Sequence, residues 1–378
     1  MKVFVNEPLL DGKELEYITD CVKTAWISSA GEYIDRFEES WAKVCGRRFG
    51  ISVANGTVAL QLALACLDLQ EGDEVILPSF TIISCAQAVV YNGAKPVLVD
   101  CDPETWCMDV DQVAAKITDK TRAIMPVHIY GHPVDMDPLL ALAEKHNLAV
   151  IEDAAEAHGA QVLLGRDTDS PYWATCGSMG AASCFSFYAN KLVTTGEGGM
   201  VVTDDERIAE SARKKRNLCF ESGRRFVHND LGFNFRMTNM QAALGLAQVE
   251  RFDRIVEKKR WMGRRYTKLL DGHPMLQLPV EKPWARSVYW MYGTVLSEDS
   301  GMNATEFASR LKALGVDTRP FFAGMHNQPV LQKMGLFAGE QYPVTDRIEQ
   351  QGLYLPSGLT LTEEQIQFVC DAVKEVLS

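Results

Sequence analysis

The feature that most constrains this chain is an alternation of short, almost unbroken apolar runs with amphipathic stretches at helical spacing. Glu74–Leu77, Lys95–Asp100, Arg122–His128 and Leu148–Glu152 read as strands, and Ser84–Tyr91, Asp109–Ile117 and Asp137–His146 between them read as helices. A strand apolar on both faces has to be covered on both faces, so the pattern predicts an α/β fold with a mainly parallel sheet between helices. Ligands of such sheets bind beyond the carboxyl ends of the strands, which makes the residues just after each apolar run the functional candidates. Upstream, Gly12–Trp26 puts Leu15, Ile18, Cys21 and Val22 at helical spacing. Val58–Leu69, apolar nearly all round, predicts a deeply packed helix.

Past Arg251 the pattern changes. Ala243–Arg265 reads as one or two long charged helices, followed by strand-like Tyr289–Leu296, helical Thr305–Leu314, extended Val316–Pro320 and a terminal helix Thr362–Leu377. This predicts two domains, which 378 residues can fill: a large α/β domain over 1–250 and a smaller α+β domain over 251–378, with residues 1–12 expected to pack against the latter.

Charge narrows the function classes. Lys and Arg number 38 against 50 Asp and Glu, a formal net charge of −12, which argues against a generic binder of nucleic acid or anionic membrane. A single phosphate still needs only a few local N–H groups and cations. The N-terminal apolar run is broken too early for a signal peptide, and no apolar stretch is long enough to span a bilayer. Ten cysteines stand at neither redox nor zinc spacing and read as reduced, mostly buried thiols of a cytosolic protein; no metal site is expected.

Three segments carry chemistry. In Val53–Leu60, Asn55 is a good N-cap, Gly56 permits close backbone approach and Thr57 adds a hydroxyl to the first turn of a long helix; this builds a phosphate cradle or a plain helix cap. In Leu148–Gly159, an apolar strand ends on Asp153, whose carboxylate suits a protonated pyridine nitrogen, a helix cap, a metal or a ribose. His158 in the same segment reads as a structural histidine. In Cys184–Met200, Lys191 stands alone in an apolar stretch before a Gly-rich turn. A lysine desolvated there has a lowered pKa and is an amine nucleophile towards an aldehyde; the alternative is a snorkelling surface residue. Gly196–Gly199 (GEGG) is not a dinucleotide fingerprint, and no P-loop is present. One phosphate site, one strand-end acid and one apolar lysine together match the phosphate, ring nitrogen and aldehyde of pyridoxal 5′-phosphate.

On these and further motifs the sequence resembles the fold type I, pyridoxal-phosphate-dependent aminotransferases of the DegT/DnrJ/EryC1/StrS family. The likeness runs almost end to end, through Thr24–Gly31 (TAWISSAG), Gly72–Pro78 (GDEVILP), Pro126–Gly131 (PVHIYG), Ile151–Ala157 (IEDAAEA), Thr194–Met200 (TTGEGGM), Gly232–Asn239 (GFNFRMTN), and Arg319–Phe322 (RPFF) before Met325-His326. The resemblance implies a large domain with a mainly parallel seven-stranded sheet between helices, and a smaller α+β domain. It implies Lys191 as the Schiff-base lysine and proton carrier and Asp153 as partner of the pyridine nitrogen. Glu156 would lie near the ring hydroxyl, where much of the family has Gln. Gly56, Thr57 and Ser186 would bind the cofactor phosphate, with Asn234 reaching it from a neighbouring subunit of a homodimer or higher homo-oligomer. Arg319 and His326 are implied contacts of the sugar nucleotide. The implied reaction moves an amino group from L-glutamate to a nucleotide-linked 4-keto-6-deoxyhexose, with pyridoxamine 5′-phosphate as the intermediate cofactor form. Lys191 argues against the dehydratases of the group, which carry His there.

Departures are visible. Ile82 stands where the family has an aromatic residue stacked on the cofactor ring, a face worth about 0.5–1.5 kcal/mol. Val162–Gly180 is longer than the family's connection and is expected either as a wall of the substrate mouth, through Tyr172 or Trp173, or as a surface insertion. Of the basic residues Arg213, Lys214, Lys215, Arg216, Arg224 and Arg225, the last two are candidates for neutralising a diphosphate.

Overall fold

The computed structural model describes every residue except Ser222, Arg224 and Arg225. Along the chain come α1 (Glu14–Thr24), α2 (Glu32–Val44), β1 (Phe49–Val53), α3 (Gly56–Ala65), β2 (Glu74–Pro78), α4 (Ser84–Tyr91), β3 (Lys95–Val99), α5 (Val110–Lys116), β4 (Thr121–Ile124), α6 (Met136–His146) and β5 (Ala149–Asp153). Next are β6 (Gln161–Leu164), β7 (Tyr172–Thr175), β8 (Ala182–Ser186), β9 (Gly199–Thr203), α7 (Glu206–Arg216), α8 (Asn239–Val249), α9 (Phe252–Leu270), β10 (Leu276–Gln277), β11 (Ala285–Arg286) and β12 (Tyr292–Leu296). The chain closes with α10 (Ala304–Ala313), β13 (Arg319–Pro320), α11 (Pro329–Lys333), α12 (Pro343–Gln351), β14 (Gly352–Leu355) and α13 (Glu363–Val376).

Seven strands form the main sheet in the order β1-β9-β8-β5-β4-β2-β3. Only β9 runs against its neighbours β1 and β8, so the carboxyl ends of the other six share one edge. Gly199, the first residue of β9, lies opposite Ser186 at that same edge. The expected mainly parallel sheet is therefore present. Its strand ends bring Val53, Asp153 and Ser186 to one side of the molecule, and Lys191 lies in the turn between β8 and β9.

Helix α3 is buried on several faces (Ala59, Leu60, Leu62, Ala63 and Leu64), which explains its apolar sequence. Trp41 and Phe37 of α2 pack on Phe187 in a second apolar cluster, with Phe185 and His158 also against the Trp41 ring. A third cluster gathers Met262, Tyr266 and Leu270 of α9 with α10, α13, β14 and Val3, which bridges to Val316.

Three sequence expectations need correction. Strand β4 stops at Ile124, short of His128, because Pro126 has no N–H to donate. Strand β12 starts at Tyr292 because Tyr289 has φ 48°, a left-handed conformation incompatible with a strand. The long Val162–Gly180 connection, expected as a loop forming a wall of the substrate mouth or a surface insertion, instead carries the hairpin of β6 and β7, on which β11 pairs as a third strand. Trp173 there lies under the Arg286 guanidinium, 3.9 Å from its ring centroid.

Candidate active site

Helix α3 starts directly at the end of β1. The Asn55 side chain accepts the Val58 N–H at 3.0 Å, so the cap occupies one donor and the Gly56 and Thr57 N–H groups have no partner within the helix. Thr57 and Ser84 share a hydroxyl–hydroxyl hydrogen bond of 2.8 Å, which brings the first turns of α3 and α4 together. A Cβ on Gly56 would stand 2.6 Å from Cβ of Ser186, so only glycine lets α3 begin this close to the end of β8. The result is a concave patch of backbone amides and neighbouring hydroxyls at the positive ends of two helices, the arrangement that binds a phosphate.

Asp153 is buried at the end of β5. Its Oδ2 accepts the Cys85 thiol at 3.1 Å and its Oδ1 accepts the Ala155 N–H at 3.1 Å. Burial pushes its carboxyl up, opposed by these two hydrogen bonds and by the Lys191 charge. Glu156 is buried too; its Oε2 accepts the Tyr130 N–H at 2.7 Å, which the φ of 50° at Tyr130 accompanies, and its Oε1 stands 3.7 Å from Lys191 Nζ. Burial raises the Glu156 carboxyl and lowers the Lys191 amine. Lys191 Nζ lies 3.4 Å from the centroid of the Trp290 ring. The segment therefore holds a desolvated amine between a carboxylate and an aromatic face, not a snorkelling one.

Lys191, Asp153, Glu156, Gly56, Thr57 and Ser186 all line one cavity of about 690 Å³, ample for a small cofactor and part of a substrate. Ile82 also lines it and is 44% exposed, leaving an aliphatic wall where the family places a ring. His158 is enclosed by Trp41, Phe185 and Phe187; burial pushes its imidazole down to about 3, so it is a neutral structural histidine.

Other expected residues lie elsewhere in this protomer. Asn234 is exposed, accepting the Arg236 Nε–H at 2.9 Å, and is not on the cavity wall. Arg319 is exposed beside Asp317, although its strand β13 pairs it with Tyr354, a wall residue. His326 is buried against Asp346 at 2.9 Å, behind the wall. Neither Tyr172 nor Trp173 reaches the cavity. Arg213–Arg216 form the last turn of α7, where cations complement the helix dipole and Arg216 pairs with Glu38. Arg224 and Arg225 lie outside the described residues.

The sequence reading missed Trp290, Tyr354, Phe322, Asn190 and Cys85. The aromatic three come from the C-terminal part of the chain and look like ordinary core residues in sequence. Cys85 carried no metal or redox spacing to single it out.

The model of the DegT/DnrJ/EryC1/StrS aminotransferase family matches residues 8–374. A GDP-perosamine synthase of Caulobacter vibrioides is 42% identical over 377 residues, spanning 100% of this chain and 98% of that one. The putative pyridoxal phosphate-dependent aminotransferase EpsN of Bacillus subtilis is 32% identical over 371 residues, spanning 96% of this chain and 93% of its own length. Among solved structures, DesI in the presence of its TDP-sugar product superposes with a TM-score of 0.87 at 30% identity, covering 100% of this chain and 93% of that one.

Proposed function

The chain belongs to the DegT/DnrJ/EryC1/StrS aminotransferase family, and from that premise we propose that it transfers an amino group from L-glutamate to a GDP-linked 4-keto-6-deoxyhexose, with pyridoxal 5′-phosphate held on Lys191. The observation that carries this reading is the convergence of Lys191, Asp153, Glu156 and the first turns of α3 and α4 on one cavity. The residues fit the cofactor on chemical grounds: the Gly56 cradle suits its phosphate, the buried Asp153 carboxylate its pyridine nitrogen, and the desolvated Lys191 amine its aldehyde. When bound, pyridoxal 5′-phosphate supplies an aldehyde for imine formation and a protonated ring that draws electrons from the adjoining carbon.

This chain's own residues do the rest. Asp153, kept from water, would pair its carboxylate with the ring nitrogen, and Cys85 and the Ala155 N–H fix its two oxygens. Lys191 Nζ would take the proton from the nitrogen-bearing carbon of the amino donor. Glu156, 3.7 Å from Lys191 Nζ, is near enough to share its proton and would accept a hydrogen bond from the ring hydroxyl. Trp290, Phe322 and Tyr354 exclude water on the side facing the C-terminal region.

The GDP-linked substrate rests on the relative in Caulobacter vibrioides, and DesI with its TDP-sugar product supports the wider class of nucleotide-linked sugars. Asn234 is proposed to complete the phosphate site of a neighbouring copy, which accords with its exposure, so the working unit is at least a homodimer. Arg319, His326, Arg224 and Arg225 are proposed to reach the sugar nucleotide in that assembly. A cytoplasmic site of action suits these soluble substrates, and among the described residues no helix is long and apolar enough to cross a membrane. The test is borohydride trapping of the yellow protein, with peptide mapping to Lys191. Mass analysis of products from 4-keto-6-deoxy GDP-, UDP- and dTDP-sugars with glutamate then identifies the acceptor. An unlabelled Lys191 peptide rejects the cofactor reading, and amination of only UDP- or dTDP-sugars rejects the base.

A further inference from the structure

The Lys191 ammonium has two close neighbours of opposite character, the Glu156 carboxylate at 3.7 Å and the face of the Trp290 indole at 3.4 Å from its centroid. Trp290 is held at two points. Its indole Nε1 donates to the carbonyl of Asn190, the residue preceding Lys191, at 2.8 Å, and its backbone carbonyl accepts from Lys259 Nζ at 2.8 Å. Lys259 is buried on α9 and donates also to the Ser357 carbonyl, while Asn6 donates to the same Asn190 carbonyl at 3.3 Å. The ring and the lysine-bearing turn are thus tied together from both sides. A cation over a buried aromatic face is stabilised by the ring quadrupole without a second formal charge.

We propose that the face of Trp290 is the seat of the free Lys191 ammonium, the place the lysine occupies whenever it is not bonded to another carbon, and that Trp290 is thereby a positioning residue for the proton Lys191 carries. The proposal rests on the reading of Lys191 as the cofactor-linking lysine. Other titratable groups surround the same amine: Asp153 at the end of β5 with Cys85 of α4 against it, Glu156 and His158 in the turn that follows, Tyr188 and Glu197 on either side of Lys191 in its own turn, Tyr354 on β14, and Glu7 and Lys259 behind it. Glu156 and Asp153 hold the proton on Lys191; burial drives it off. Trp290 acts with the carboxylates but does not itself titrate; its attraction is felt only by the ammonium form of Lys191.

The experiment mixes cofactor-free protein with pyridoxal 5′-phosphate across a range of pH and follows the visible spectrum. Only the neutral amine adds to the aldehyde; the carbon–nitrogen bond forms and the carbonyl oxygen leaves as water. The rate therefore rises with pH around a midpoint that reports Lys191. Trp290→Leu is expected to lower that midpoint by roughly one pH unit, so that below the wild-type midpoint the variant reacts up to about tenfold faster. Trp290→Phe, which keeps a weaker face, shifts it less in the same direction. An unchanged or raised midpoint in the folded variants overturns the proposal. If Trp290→Leu does not fold, the indole emission of the cofactor-free wild type is titrated instead. A step at the same midpoint, absent in Lys191→Met, supports the seat, and persistence of that step in Lys191→Met overturns it. A wild-type protein that forms no borohydride-stable link at Lys191 overturns both this proposal and the reading beneath it; a normal link with an unshifted variant overturns the proposal alone.

Discussion

Cys85 donates its thiol proton to Oδ2 of Asp153 across 3.1 Å, joining the first turn of α4 to the end of β5 beneath the cavity. Because burial pushes the Asp153 carboxyl up, each hydrogen bond to it favours the charged form that a pyridinium needs. Cys85→Ala is expected to weaken cofactor retention about fivefold, the value of roughly one kcal/mol for a hydrogen bond. Cys85→Ser, which keeps a donor, recovers most of it. Equilibrium dialysis against pyridoxal 5′-phosphate checks this, and equal retention by all three proteins contradicts it.

Gly56→Ala is expected to lose cofactor retention more than the Cys85 variants do. The new methyl would sit 2.6 Å from Cβ of Ser186, so the start of α3 must move away from β8 and spread the cradle. Overpacking of this kind costs about 1–3 kcal/mol of stability. A thermal melt of the cofactor-free protein and its retention on dialysis measure the two effects separately; wild-type behaviour in both would show that the helix start is not held.

Ile82→Phe is expected to tighten cofactor binding. The aliphatic side chain lines the cavity where the family has an aromatic face, and restoring the ring is worth about 0.5–1.5 kcal/mol, or roughly two- to tenfold in retention. A folded variant that binds more weakly would mean that the ring does not stack at this wall.

Lys259 makes stability depend on pH. Burial pulls its ammonium from 10.5 down to about 7, while the unfolded chain keeps its proton up to the ordinary value. Between those values the unfolded state binds more protons, so folding stability rises with pH across the window and falls as pH drops through 7. Relative to Lys259→Met, which lacks the titration, the wild type gains up to about 1.4 kcal/mol per pH unit inside the window. Urea unfolding of both proteins at the two ends of the window measures the difference, and a constant difference would contradict the shift.

Much of the fold was legible because its signals are local. Ser84–Tyr91 was bounded by its own pattern and the start of α3 by the Asn55 cap, whereas the apolar run to Leu69 overshot the helix, which ends at Ala65. The misreadings had local causes that act on the backbone rather than on hydrophobicity. Pro126 lacks a donor and Tyr289 adopts a left-handed turn, and neither changes the apolar period of the run it interrupts. The strands within Val162–Gly180 went unread because a hairpin of this kind becomes stable only once β11, far along the chain, supplies its third strand.

In the site, Gly56, Thr57, Asp153 and Lys191 could be picked out from their positions in the sequence, and Glu156 and Ser186 from the family resemblance. Each lies at a strand end, a helix start or an apolar turn, and parallel strands carry such positions to a common edge. Which side chain covers the amine was decided only by the tertiary structure. Trp290 reaches Lys191 because Lys259 of α9 holds its carbonyl and Asn190 accepts its indole N–H, contacts that exist only after the C-terminal elements have docked. Periodicity and capping report a residue's near neighbours, whereas the proton affinity of Lys191 depends on burial and on groups brought in from distant parts of the chain.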